Sequence, residues 1–160
     1  MLKAIFFDLG GTLVPENTRK TYPRVNETLN ELRPNFILAT ICNTNASLET
    51  VRGIMKDAGI LHFFDELIVS SEVGYSKPDE EIFRIALRKL GVKPNEAIMV
   101  GNRVSTDILG GNRMGMETVL INWESDYHEE VTCELEKPTY IIHTIKELRT
   151  IISELKNYRQ

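Results

Sequence analysis

At 160 residues, with 42% hydrophobic and 26% charged side chains, the chain has the size and balance of one globular domain with a sizeable core. A net charge of -4, and basic residues that form no stripe with aromatics, exclude a nucleic-acid footprint. No apolar run reaches membrane-spanning length, and two cysteines without a secretory signal or a cysteine framework favour a reducing, cytoplasmic setting.

Ala4, Ile5, Phe6 and Phe7 form a short apolar strand that ends in a carboxylate, Asp8. Leu9, Gly10, Gly11 and Thr12 follow at once, and the two glycines let a ligand approach the backbone. Residues 16–23 are polar and turn-like. Val25, Leu29 and Leu32 recur at helical spacing, and Pro34 ends that helix. Residues 36–42 are continuously apolar, the mark of a strand buried on both faces. Residues 47–58 read as a helix with Ser47 as N-cap and Gly59 as its stop.

A third strand is predicted over residues 66–70, and Pro78 in the first turn of the next helix. That helix carries Ile82, Phe83, Ala86, Leu87 and Leu90 and closes at Gly91. A fourth strand over 97–100 leads to Gly101, a short helix over 105–113 follows, and strands are predicted at 118–121 and 140–142. The last helix repeats Ile145, Leu148, Ile151, Ile152 and Leu155 on one face. Strands alternating with helices mean an α/β fold, a parallel sheet covered on both faces. No repeat or linker divides the chain, so residues 1–160 are expected to form one domain.

Parallel strands bring their carboxyl ends to one rim, where side chains just beyond each strand converge. Asp8 follows the first strand, Thr44 and Asn45 the second, and Asn102 the fourth, with Asp107 five residues on; Lys77 stands before the helix that starts near Pro78. This set suits phosphoryl transfer: a carboxylate attacks phosphorus, a hydroxyl and a lysine hold the phosphate oxygens, and acidic groups bind Mg²⁺. Taken singly, each residue has a plainer reading. Asp8 and Asp107 can be caps, Thr44 can close a strand end, and Lys77 can be a surface lysine.

The order Asp8-Leu-Gly-Gly-Thr12, Thr44-Asn45, Lys77-Pro78 and Gly101-Asn102-x4-Asp107 resembles the haloacid dehalogenase superfamily over nearly the whole chain. The resemblance implies a Rossmann-like three-layer sandwich with a mostly parallel sheet and a Mg²⁺-dependent aspartyl-phosphate mechanism. It makes Asp8 the nucleophile, with Thr44 and Lys77 as its catalytic partners. Thr44, Asn45 and Lys77 become the phosphate-binding set, and Asp8, Gly10 (through its carbonyl), Asn102 and Asp107 the metal set. Two positions depart from the family pattern. Its phosphatases carry aspartate two residues after the nucleophile, where this chain has Gly10, and open the fourth motif with Gly-Asp, where this chain has Asn102. Loss of a general acid/base removes about 10²–10⁴-fold in rate, and fewer carboxylates weaken Mg²⁺ binding.

Residues 13–35 and 45–77 are too short to hold the cap domain that the family often inserts, so a capless, open site is expected. That site and the apolar last helix leave room for a homo-oligomer. The leading expectation is a slow hydrolase acting on a phosphorylated substrate. Beside it stands a catalytically silent binding or assembly module and, more weakly, a haloacid dehalogenase-like hydrolase.

The remaining polar features have simple readings. Glu16 can replace the missing acid/base, although loop carboxylates are mostly solvated. Arg103 and Arg113 flank the fourth motif and can meet an anion, while Arg113 also suits a helix C-terminus. His62, His128 and His143 are scattered and form no metal pair. Trp123 and Tyr127 are expected to pack over the rim. The acidic run at 124–136 reads as a solvated loop.

Overall fold

A computed structural model describes residues 1–123 and 129–158. Glu124, Asp126, Tyr127 and His128, part of the acidic run and the rim reading above, lie outside the described residues.

Six strands, β1 (Ala4–Phe7), β2 (Ile37–Cys42), β3 (Glu66–Val69), β4 (Ala97–Gly101), β5 (Glu117–Ile121) and β6 (Tyr140–Ile142), form one sheet in the order β3–β2–β1–β4–β5–β6. Every neighbouring pair is parallel. The helices are α1 (Val25–Leu32), α2 (Leu48–Asp57), α3 (Ser70–Val73), α4 (Glu80–Leu90), α5 (Leu109–Arg113) and α6 (Leu148–Tyr158). This is the parallel α/β sheet that the alternation of elements predicts, in the Rossmann-like sandwich that the family resemblance implies.

Strand alternation divides the core. Ile5 and Phe7 face the layer of α1, α2 and α6, with Leu29, Met55 and Leu148. Ala4 and Phe6 face the layer of α4, with Ile82, Phe83 and Ala86. The apolar face of α6 is spent on this core: Leu148, Ile151, Ile152 and Leu155 are all buried in it.

Local chemistry explains most of the boundaries. Ser47 Oγ accepts the Thr50 N–H and caps α2. Gly91 closes α4 with φ 65°. Pro78 departs from expectation: it lies ahead of α4 rather than in its first turn, because Asp79 is the N-cap and accepts the Glu81 N–H at 2.9 Å. The third strand stops at Val69 because the chain turns at once into the short α3. The predicted helix at 105–113 begins as a wide π-type turn, Val104–Ile108, before α5.

The chain runs from β1 outward to β2 and β3, then crosses to the other side of β1 for β4. The strand order therefore reverses between β1 and β4, and the crevice beyond their carboxyl ends is where such sheets bind ligands. Asp8 stands just past β1 and Asn102 just past β4, on the two sides of that crevice.

Candidate active site

Asp8 continues the line of β1, its N–H still bonded to Val100 O of β4 at 2.9 Å. Lys77 Nζ donates to Asp8 Oδ1 at 2.9 Å, to Asp107 Oδ1 at 2.6 Å and to Ile41 O at 2.6 Å. All three ammonium protons are thus used. Asp8, Lys77 and Asp107 are only 9%, 4% and 0% exposed. Burial alone would lower the Lys77 pKa, but Asp107 and Asp8 hold it above the ordinary lysine range, so Lys77 is a fixed cation. Asp107 Oδ2 accepts the Arg103 N–H at 3.1 Å, so this carboxylate both caps its own turn and anchors Lys77. The plain and the functional readings of Asp107 coexist.

Asn43, which sequence reasoning passed over, sets the lysine's place. Its Nδ2 donates to Lys77 O at 2.9 Å, and its Oδ1 accepts the Lys77 N–H at 2.8 Å. The side chain clamps the segment before α4 onto the end of β2.

The first loop is folded tightly. Leu9 O accepts the N–H groups of Thr12, Leu13 and Val14, and Gly11 N–H donates to Val14 O. Gly11 has φ 76°, and a Cβ there would fall 2.3 Å from Asn102 Nδ2, so both conformation and space demand glycine. Thr12 is fully buried; its hydroxyl lies 3.4 Å from both Asp8 Oδ2 and Asn102 Oδ1, and its one proton serves one of them at a time. Trp123 donates its indole N–H to Thr12 O and stacks on Tyr22 at 4.4 Å, which confirms its packing role at the rim.

A cavity of about 370 Å³ opens above Asp8, lined among others by Gly10, Glu16, Cys42, Thr44 and Lys77. That volume admits a small molecule. Thr44 lines it, with its hydroxyl oxygen accepting the Ala46 N–H at 3.0 Å and its own N–H bonded to Ser70 Oγ at 2.9 Å. Asn45 is exposed and is not among the lining residues. Cys42 is buried among apolar side chains and also forms a wall of this cavity. Burial first, then the Asp8 carboxylate, pushes its thiol up to about 12, so it stays protonated. The exposed Arg103 lies at the cavity mouth, whereas Arg113 stands in the last turn of α5 and does not line it.

The donor set is suited to a hard cation. Asp8 Oδ2 and Asn102 Oδ1 converge on the Thr12 hydroxyl, and carboxylate, amide and carbonyl oxygens are what Mg²⁺ takes. The charge is low, because Asp8 Oδ1 and Asp107 Oδ1 both serve Lys77. Among the described residues no group of three or more His, Cys, Asp or Glu could hold a metal by itself.

Residues 15–115 match the family model described as haloacid dehalogenase-like hydrolase. A glyceraldehyde 3-phosphate phosphatase of Methanopyrus kandleri is 39% identical over 137 residues, 85% of this chain and 58% of that protein. A pyrophosphatase of Oceanobacillus iheyensis is 31% identical over 142 residues, 87% of this chain and 63% of that one. The chain therefore spans less than two thirds of the length of these relatives. A phosphatase of known structure from Thermococcus onnurineus shares the fold, with a TM-score of 0.79 at 23% identity over 94% of this chain and 98% of that one.

Proposed function

The chain belongs to the haloacid dehalogenase-like hydrolases, and from that premise we propose that it is a phosphatase that carries the phosphoryl group of a phosphate monoester on Asp8 and then passes it to water. The observation that carries this reading is the buried Lys77, bonded at once to Asp8 and Asp107 on the floor of a small-molecule cavity. A fixed cation there holds the Asp8 carboxylate in place and attracts the phosphate dianion. Asp8 attacks phosphorus, the ester bond breaks, and the leaving oxygen departs with the bonding electrons. Thr44 is proposed to bind a phosphoryl oxygen, Lys77 to act on the phosphate through its charge because its three protons are engaged, and Arg103 to draw the substrate in.

Asp8, the Gly10 carbonyl and Asn102 would hold Mg²⁺, with Asp107 behind them. When bound, the ion offsets the charge of the phosphoryl oxygens. Glyceraldehyde 3-phosphate and pyrophosphate, which the relatives' names give as substrates, share only the phosphoryl group. We therefore assign a phosphorylated small molecule as the substrate class. The unit is proposed to be a single capless core over residues 1–160, acting in the cytoplasm, where its unpaired Cys42 and Cys133 remain reduced.

Gly10 and Asn102 favour a second reading, a silent module that keeps the fold without turnover. One assay separates the two. Mg²⁺-dependent hydrolysis of an aryl phosphate is expected from the unaltered protein and not from Asp8→Asn. Equal rates for the two proteins would sink the enzyme reading. Activity that arises only when Gly10→Asp and Asn102→Asp are combined would establish the module.

A further inference from the structure

The absence of a side chain at residue 10 is not imposed by the backbone. Gly10 is not among the glycines with positive φ, so an L-residue suits its conformation. What a side chain there would meet first is the carboxylate end of the exposed Glu16 side chain. A Cβ on Gly10 would lie 2.7 Å from Glu16 Oε1 and 3.0 Å from Glu16 Cδ and Oε2. The Glu16 carboxylate occupies the space into which a side chain at residue 10 would grow.

The loop is built to deliver it. The Gly11 N–H bond to Val14 O and the bridge between Gly10 and Val14 bring the chain back beside residue 10. A turn held by Thr18, whose N–H and hydroxyl both donate to Pro15 O, then carries Glu16. Glu16 lines the Asp8 cavity and also the adjoining cavity bounded by Asn102 and Arg103. Among the described residues its carboxylate accepts no hydrogen bond and joins no ion pair. A solvated loop carboxylate would be exposed, as Glu16 is, but would have no reason to sit over the one position of the first loop that lacks its expected acid.

We propose that Glu16 is the general acid/base of this site, supplied by the following loop in place of a carboxylate at residue 10. The assignment rests on the phosphatase reading above. In the first half-reaction an Asp8 oxygen bonds to phosphorus as the ester P–O bond breaks. Its electron pair goes to the leaving oxygen, which takes the Glu16 proton and departs as the alcohol. In the second, the Glu16 carboxylate takes a proton from water as that water attacks phosphorus. The bond to Asp8 breaks, and inorganic phosphate leaves. The sum is one ester and one water converted to one alcohol and one phosphate, with Glu16 protonated again.

The test is a leaving-group series in single turnover, with Glu16→Gln against the unaltered protein. An alkyl phosphate such as glycerol phosphate needs a proton on its leaving oxygen; dinitrophenyl phosphate does not. Glu16→Gln is expected to slow alkyl ester cleavage by about 10²–10⁴-fold and to leave dinitrophenol release little changed. Gly10→Asp on a Glu16→Ala background, where the space is free, is expected to restore alkyl ester cleavage. If Asp8-dependent turnover persists but Glu16→Gln slows both esters equally, or neither, the assignment to Glu16 fails and the phosphatase reading stands. If the unaltered protein shows no Asp8-dependent turnover of either ester, the phosphatase reading falls and this assignment with it.

Discussion

Lys77 is the residue on which the buried electrostatics turn. Its ammonium offsets two carboxylates that would otherwise face each other out of water. Removing one partner of such a buried network costs about 3–5 kcal/mol, so Lys77→Met is expected to lose that much in urea unfolding at neutral pH. Because Lys77 is held above its ordinary 10.5, its contribution is full below that value and is lost only as pH rises through the raised one. In the variant the buried Asp107, already raised to about 6 by burial, loses the cation that opposes that rise and binds a proton more readily folded than unfolded, so stability should recover toward acid. A deficit unchanged between neutral and acid pH would contradict the pairing. Cys42 makes a simpler case. With its thiol pushed up to about 12 and buried, it should resist iodoacetamide at neutral pH while the exposed Cys133 is alkylated, a difference that peptide mass spectrometry reads directly. Residue identity disclosed Asp8, Lys77 and Asp107, since charged groups at strand ends are visible in any sequence. Asn43 was hidden because its role is a pair of backbone bonds to a residue 34 positions away.

At the level of elements, the turn after β4 decides whether Asp107 reaches Lys77. The π-type turn Val104–Ile108 brings the Asp107 carboxylate back against Gly101, where a Cβ would fall 2.2 Å from Asp107 Cγ and Oδ2. Gly101→Ala is therefore expected to displace Asp107 and cost about 1–3 kcal/mol by overpacking. Chemical denaturation measures the loss, and a fall in Asp8-dependent hydrolysis should accompany it. Unchanged stability would mean that Asp107 has another place to go. The elements themselves were legible wherever hydrophobic periodicity set them, as in α1, α4 and α6, or where a cap and a stop marked them, as in α2. The wide turn was not, because its geometry follows from Asp107 bonding to Lys77 and Arg103, and no local pattern records that. Pro78 misled for a related reason. Proline is compatible with a first helical turn, but the capping bond of Asp79 starts the helix later.

The molecule as a whole is a sheet closed on both faces, and its last helix belongs to the closure. Ile145, Leu148, Ile151, Ile152 and Leu155 are all buried in one layer of the core. Burying each such side chain contributes about 1.5–3 kcal/mol, so together they match the whole net stability of a domain. Deleting residues 145–160 is expected to abolish cooperative thermal unfolding followed by circular dichroism; a sharp melt at the original temperature would show that the remaining core suffices. The sequence alone determined the alternation of strand and helix, the parallel sheet and the family signature. Those are written in local periodicity and in charged residues at strand ends, and short-range physics suffices to read them. Only the tertiary structure decided what stands over Gly10. The sequence shows a missing carboxylate there and a loop glutamate six residues on that can replace it, but nothing in it places the one beside the other. The fold joins them, because the loop hydrogen bonds return the chain beside residue 10 and leave the Glu16 carboxylate in the vacated space.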